Sequence, residues 1–95
     1  MRVLIVDDEK LAREAIEHII VSSGYDMKVV AQAQNAKEAL SMYKMYNPDV
    51  IITDICMDGE DGLNLIEEIH RYDSNSNVIV LSAYEKFEYA KKAYE

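Results

Sequence analysis

Apolar residues along the chain fall into two kinds of cluster, and the two kinds alternate. The first is a short unbroken run. Residues 3–6 form one, and a run with no polar alternation belongs to a strand buried on both faces. Residues 27–31, 50–53 and 78–81 repeat the pattern and predict three more strands. The second kind recurs at helical spacing. Leu11, Ala12, Ala15, Ile16, Ile19 and Ile20 make one stripe, with Arg13, Glu14, Glu17 and His18 in the gaps and Gly24 as a C-terminal cap. Asn35 predicts a helix N-cap, with Glu38 three residues on as its reciprocal partner. Ala36, Ala39, Leu40 and Tyr43 form that helix's inner stripe, and Asn47-Pro48 stops it. Leu63, Ile66 and Ile69 mark a third helix with Glu67, Glu68 and Arg71 toward water. Phe87, Ala90, Ala93 and Tyr94 begin a fourth. The stretches "DICMDGEDG" (54–62) and "DSNSN" (73–77) read as loops.

The order is βαβαβαβα. Parallel strands need crossover connections, so this order predicts a parallel sheet with helices on both faces. Ninety-five residues suit one domain, and no repeat or linker interrupts them. The net charge of −8 argues against direct nucleic-acid contact, which needs clustered Lys and Arg. No apolar run nears the roughly 20 residues that span a bilayer. Arg2, Asp7, Asp8 and Glu9 near the start do not make a secretory signal. Cys56 is the single cysteine, so no intrachain disulfide can form, and the expected compartment is the reducing cytoplasm.

In open parallel sheets, function gathers at the carboxyl ends of the strands. Here the first strand ends at Asp7-Asp8, the third at Asp54 and the fourth at Ser82. If the order reverses at the first strand, the first and third strands lie side by side and their carboxylates share a pocket. Two such charges about 4 Å apart repel by about 4 kcal/mol at an effective dielectric of 20. The cluster must therefore bind a proton or a cation. Oxygen ligands of this kind suit Mg²⁺, which takes one or two carboxylates and keeps several waters. A carboxylate beside that ion is a competent nucleophile toward phosphorus, giving an aspartyl phosphate. The Ser82 hydroxyl is then placed to donate to a phosphoryl oxygen.

Plainer roles stand beside these. Asp7-Asp8 would also favour the positive end of the first helix. Asp58, Glu60 and Asp61 fit a solvated loop. His18 and His70 sit on polar helix faces with no partner at metal-ligand spacing. Tyr43 and Tyr94 fit packing, and Tyr84 and Phe87 fit either packing or an interaction face.

"VLIVDDE", "PDVIITDICMDGEDGLNLI" and "VIVLSAYEKFEYAKKA" together resemble the receiver domain of two-component response regulators, in the right order and across essentially the whole chain. The resemblance implies a flavodoxin-like, doubly wound α/β sheet with strand order 2-1-3-4 in this chain. It implies Asp54 as phosphoacceptor. Asp8, Asp54 and the Cys56 backbone carbonyl would bind Mg²⁺ directly, with Asp7 acting through a metal-bound water. Ser82 becomes the switch hydroxyl, and Cys56 and Tyr84 match positions that tune phosphoryl lifetime. The implied partners are a sensor histidine kinase and an output domain, with "FEYAKKA" resembling receivers fused to AraC-type DNA-binding outputs.

Two features depart from the family pattern. Asp58 stands where the family usually has proline, although Gly59 and Gly62 keep the loop's turn residues. The family's fifth strand, with its terminal lysine and aromatic switch residue, and its fifth helix have no counterpart. Residues 1–95 therefore read as a single receiver domain that is incomplete at its carboxyl end. An open edge at the fourth strand, or the fourth-helix face, would then favour self-association.

Rival readings fail on particular residues. An aspartyl-phosphate hydrolase needs an acid two residues after its nucleophile, where this chain has Cys56. An EF-hand starting at Asp54 needs suitable ligands where Cys56 and Leu65 stand. A nucleotide module needs a glycine-rich loop in place of "DDEKLA". The alternative that remains is a receiver-like interaction module that is not phosphorylated. In the phosphoacceptor reading the modification is a signal and not a turnover product, so the chain reads as a signalling domain and not an enzyme in the turnover sense.

Overall fold

The computed structural model describes residues 1–54, 56–57 and 60–81, with side chains described through residue 53 and from 64 to 79. Its elements are β1 (Arg2–Val6), α1 (Lys10–Ser22), β2 (Lys28–Ala33), α2 (Ala36–Tyr46), β3 (Val50–Asp54), β4 (Cys56–Met57), β5 (Glu60–Asp61), α3 (Gly62–Tyr72) and β6 (Val78–Leu81). The main sheet runs β2-β1-β3-β6 and every pairing in it is parallel. With the two-residue strands set aside, that is the order 2-1-3-4 expected for a doubly wound α/β fold.

The unbroken apolar run of β1 has a direct structural cause. Strand side chains alternate between faces, and both faces of this strand are covered. Leu4 and Val6 join Ile51, Ala39, Tyr43, Leu65 and Ile69 beneath α2 and α3. Val3 and Ile5 join Val50, Ile16 and Ile20 beneath α1. These four β1 side chains, Val3 to Val6, are at most 1% exposed, and Arg2 at the start of the strand is exposed. Coverage thins toward β6, where Ile79 is 48% exposed.

The helix boundaries follow the expected chemistry. Asn35 caps α2, its Oδ1 accepting the Glu38 N–H at 2.8 Å while its amide donates to the Glu38 carboxylate at 3.3 Å. Asn47 closes α2 in the left-handed region at φ 46°, and its N–H bonds the Tyr43 carbonyl. Gly24 takes φ +77° just past the end of α1, where a side chain would be strained.

Several expectations need correction. The second strand is shifted, running 28–33 and not 27–31. The Met27 N–H turns back to the Tyr25 carbonyl, so the ladder starts at Lys28, which donates to the Met1 carbonyl. The register between β1 and β2 slips at Val3/Leu4, and Val30 is the extra residue of a bulge. Leu11, placed on the inner stripe of α1, is 72% exposed; it stands in the first turn, and the buried residues of that helix begin at Ala15. In α3 it is Leu65, not Ile66, that is fully buried beside Ile69. The stretch 54–62 is more than a loop: β4 and β5 pair antiparallel, Cys56 with Asp61 and Met57 with Glu60. The expected fourth helix lies outside the described residues.

Candidate acidic site at the carboxyl end of the sheet

The register of β1 and β3 decides where the acidic residues meet. Val6 pairs with Thr53, so Asp7 and Asp54 leave the two neighbouring strands at the same level. β3 also pairs with β6, Asp54 lying opposite Leu81. The sequence expectation that the first and third strands bring their terminal aspartates together therefore holds at the level of the backbone.

Asp7 is buried, 1% exposed, and is fixed at three points. Its N–H donates to the Ala33 carbonyl of β2 at 3.0 Å. Its Oδ1 accepts the Glu9 N–H at 2.9 Å, a short-range turn that also satisfies one of the free amides at the start of α1. Its carbonyl accepts a hydrogen bond from Arg13 Nη1 at 2.6 Å. Glu9 occupies the N-cap of α1 and makes no side-chain cap bond. Helix start and acidic turn thus share the same residues, and the helix-end role weighed for Asp7 is seen in its bond to the Glu9 N–H. Asp8 follows, half-buried.

Asp54 is the last residue of β3 and Cys56 opens β4 two residues later. Their side chains, and Ser82 and Tyr84 altogether, lie outside the described residues. Among the described residues no three His, Cys, Asp or Glu side chains gather as a metal cluster, and Asp7 and Asp8 supply two carboxylates. His18 and His70 are exposed, as their positions on polar faces predicted. Arg13 is the site residue that sequence reasoning missed. It reads as a gap-filler in the α1 pattern, and only the turn between β1 and α1 folds its side chain back on Asp7.

At the opposite end of the sheet, Tyr43 Oη donates to Asp73 Oδ2 at 2.7 Å, linking α2 to the turn after α3. Burial first, then the bond and the charge of Asp73, push the Tyr43 hydroxyl up to about 12. The same bond holds the Asp73 carboxyl below its ordinary range.

The model of the response regulator receiver domain family matches residues 3–95. The chain belongs to that family. This receiver domain is 39% identical over 90 residues to the transcriptional regulatory protein HptR of Staphylococcus aureus, covering 95% of the chain and 35% of that protein. It thus spans about a third of the length of the curated relatives it matches. It resembles the REC domain of AraT, a response regulator from Geobacillus stearothermophilus, at 36% identity and a TM-score of 0.79, covering 98% of this chain and 72% of that one. A chain of the CheX-CheY-BeF3-Mg²⁺ complex from Borrelia burgdorferi aligns at 31% identity and a TM-score of 0.81, over 99% of this chain and 70% of that one. The receiver domain is therefore a signalling domain of two-component systems. Among its described residues no helix is long and apolar enough to cross a membrane.

Proposed function

We propose that this receiver domain accepts a phosphoryl group on the carboxylate of Asp54 from the phosphohistidine of a sensor histidine kinase. The P–N bond to the kinase imidazole breaks and an O–P bond to Asp54 forms. The observation that carries this reading is the β1–β3 register, which sets Asp7 and Asp54 level on adjacent strands. A buried carboxylate next to two more is costly unless a cation joins them, and a donor set made of oxygen alone fits a hard divalent ion. Asp8, Asp54 and the Cys56 carbonyl would hold Mg²⁺ directly, and Asp7 through a water. Bound there, Mg²⁺ supplies neutralisation of the charge on the transferring phosphoryl oxygens.

The chain's own residues carry the remaining roles. Asp54 is the nucleophile. Asp7, anchored to β2 and to the start of α1, fixes the turn that presents Asp8. Ser82 donates to the phosphoryl group, and Cys56 and Tyr84, two residues beyond Asp54 and Ser82, set how readily water reaches it. The fourth-helix face passes the change to an output domain, DNA-binding in keeping with the regulatory relatives, or to a second receiver. This places the domain, residues 1–95, in the cytoplasm with a kinase as its upstream partner.

Intact mass after incubation with Mg²⁺ and a small acyl-phosphate donor tests the reading. One added phosphoryl group is expected in the wild type and none in Asp54→Asn. Persistent labelling of Asp54→Asn would overturn the assignment. An unmodified wild type, both here and in a chain extended beyond residue 95, would favour a pure interaction module.

A further inference from the structure

We propose that Arg13 is a positioning residue for the acidic site, holding the Asp7–Asp8 peptide in the orientation that lets Asp8 take a divalent cation. This inference rests on the reading above, that Asp8 and Asp54 are the cation ligands. The Arg13 guanidinium reaches back six residues along the chain, and its Nη1 donates to the Asp7 carbonyl at 2.6 Å. A bond that short from a charged donor is at the strong end for proteins. The carbonyl it grips belongs to the peptide unit whose other half is the Asp8 N–H, so fixing one orients the other. Two further anchors of the turn, Asp7 N–H to Ala33 and Glu9 N–H to Asp7 Oδ1, act on either side of that peptide.

The surroundings explain why the guanidinium points this way. Carboxylates stand four residues to either side of it, Glu9 at the N-cap of α1 and Glu17 further along the helix. The Glu17 carboxylate accepts a hydrogen bond from Gln32 Nε2 on β2. The neighbouring Glu14 pairs with Lys10 at 3.9 Å. Both acids of the groove between α1 and β2 are engaged, and among the described residues Arg13 makes no ion pair. Its directed contact is the Asp7 carbonyl, and its half-buried stem keeps the head in place.

Charge and position predict opposite signs, which makes the inference testable. A cation beside a metal site repels the incoming ion, so deleting it on charge grounds alone tightens Mg²⁺ binding. Deleting a group that orients a ligand loosens binding, typically by about 10-fold or more. Mg²⁺ titration by calorimetry of the wild-type chain, Arg13→Met and Arg13→Lys reads the sign. Melting of the metal-free proteins and amide exchange at Glu9 accompany it. The expected result is about a tenfold loss in Arg13→Met, a smaller loss in Arg13→Lys, and faster exchange at Glu9 with the β1 and β3 core amides unchanged. Unchanged or tighter binding in Arg13→Met, with the wild type binding normally, overturns the positioning role alone. A wild type that does not bind Mg²⁺ overturns the site reading and this inference with it. Arg13→Lys keeps a donor on an apolar stem and remains informative if Arg13→Met fails to fold.

Discussion

Asp7 and Asp54 stand level on adjacent parallel strands, and that placement predicts a measurable repulsion. Neighbouring strands lie about 4.8 Å apart, so the two Cα atoms are separated by about 5 Å. Carboxylates about 5 to 7 Å apart at an effective dielectric of 20 repel by about 2 to 3 kcal/mol. Replacing either with asparagine removes a charge at nearly constant shape. At Asp7 the asparagine oxygen still accepts the Glu9 N–H, so the turn survives. A double-mutant cycle of Asp7→Asn and Asp54→Asn isolates the pairwise energy from whatever else each carboxylate touches. Urea unfolding in EDTA supplies the four stabilities. Each single change relieves the same repulsion, so the double change is expected to stabilise the metal-free protein by about 2 to 3 kcal/mol less than the sum of the two singles. For a domain of this size, 1 kcal/mol corresponds to about 4–8 °C in melting temperature, so thermal scans resolve it too. Saturating Mg²⁺ should abolish or invert the coupling, because the cation then stabilises the pair. A coupling near zero or attractive in EDTA would refute the claim that these two carboxylates share one pocket.

Other outcomes follow from individual contacts. Asn35→Ala removes the α2 cap and should cost about 1 kcal/mol in chemical denaturation. Ile51→Ala empties a fully buried position on β3 and should cost about 2–5 kcal/mol, a large part of the total stability, read as a fall in the urea midpoint. The Tyr43–Asp73 bond should give stability a slope at both pH extremes. Asp73 titrates below its unfolded value, so its contribution is present above the ordinary carboxylate range near 3.8 and is lost as pH falls through the folded value. Tyr43 is raised to about 12, so its contribution is complete below 10 and is lost between 10 and 12. Tyr43→Phe should flatten both slopes in melting scans across pH, and unchanged slopes would refute the link.

The features legible in the sequence are those whose cause is local or periodic. The unbroken run of β1 announces a strand buried on both faces, and Asn35 with Glu38 announces a cap three residues wide. The strand-end aspartates also carried the site, because in a parallel sheet the end of a run is the end of a strand. What the sequence hid depends on contacts across the fold. The start of β2 was misplaced because Met27 is apolar but its N–H is claimed by a local turn at Tyr25. Leu11 fits the helical period, yet it stands in the first turn of α1, and burial on that helix begins only at Ala15. The β4–β5 pairing sits in a run of acids and glycines with no alternation to signal it. Arg13 is spaced like any solvent-facing charge, and its bond to the Asp7 carbonyl exists only once the chain has turned.

Because β1 lies between β2 and β3, its ladder has neighbours on both sides and its side chains have cover on both faces. Amides so enclosed exchange with solvent only when the domain opens as a whole, whereas those on β6, beneath the half-exposed Ile79, open at lower cost. Asp7 and Asp8 thus grow directly out of an enclosed interior strand. A signal written at this end of the sheet starts from a rigid foundation.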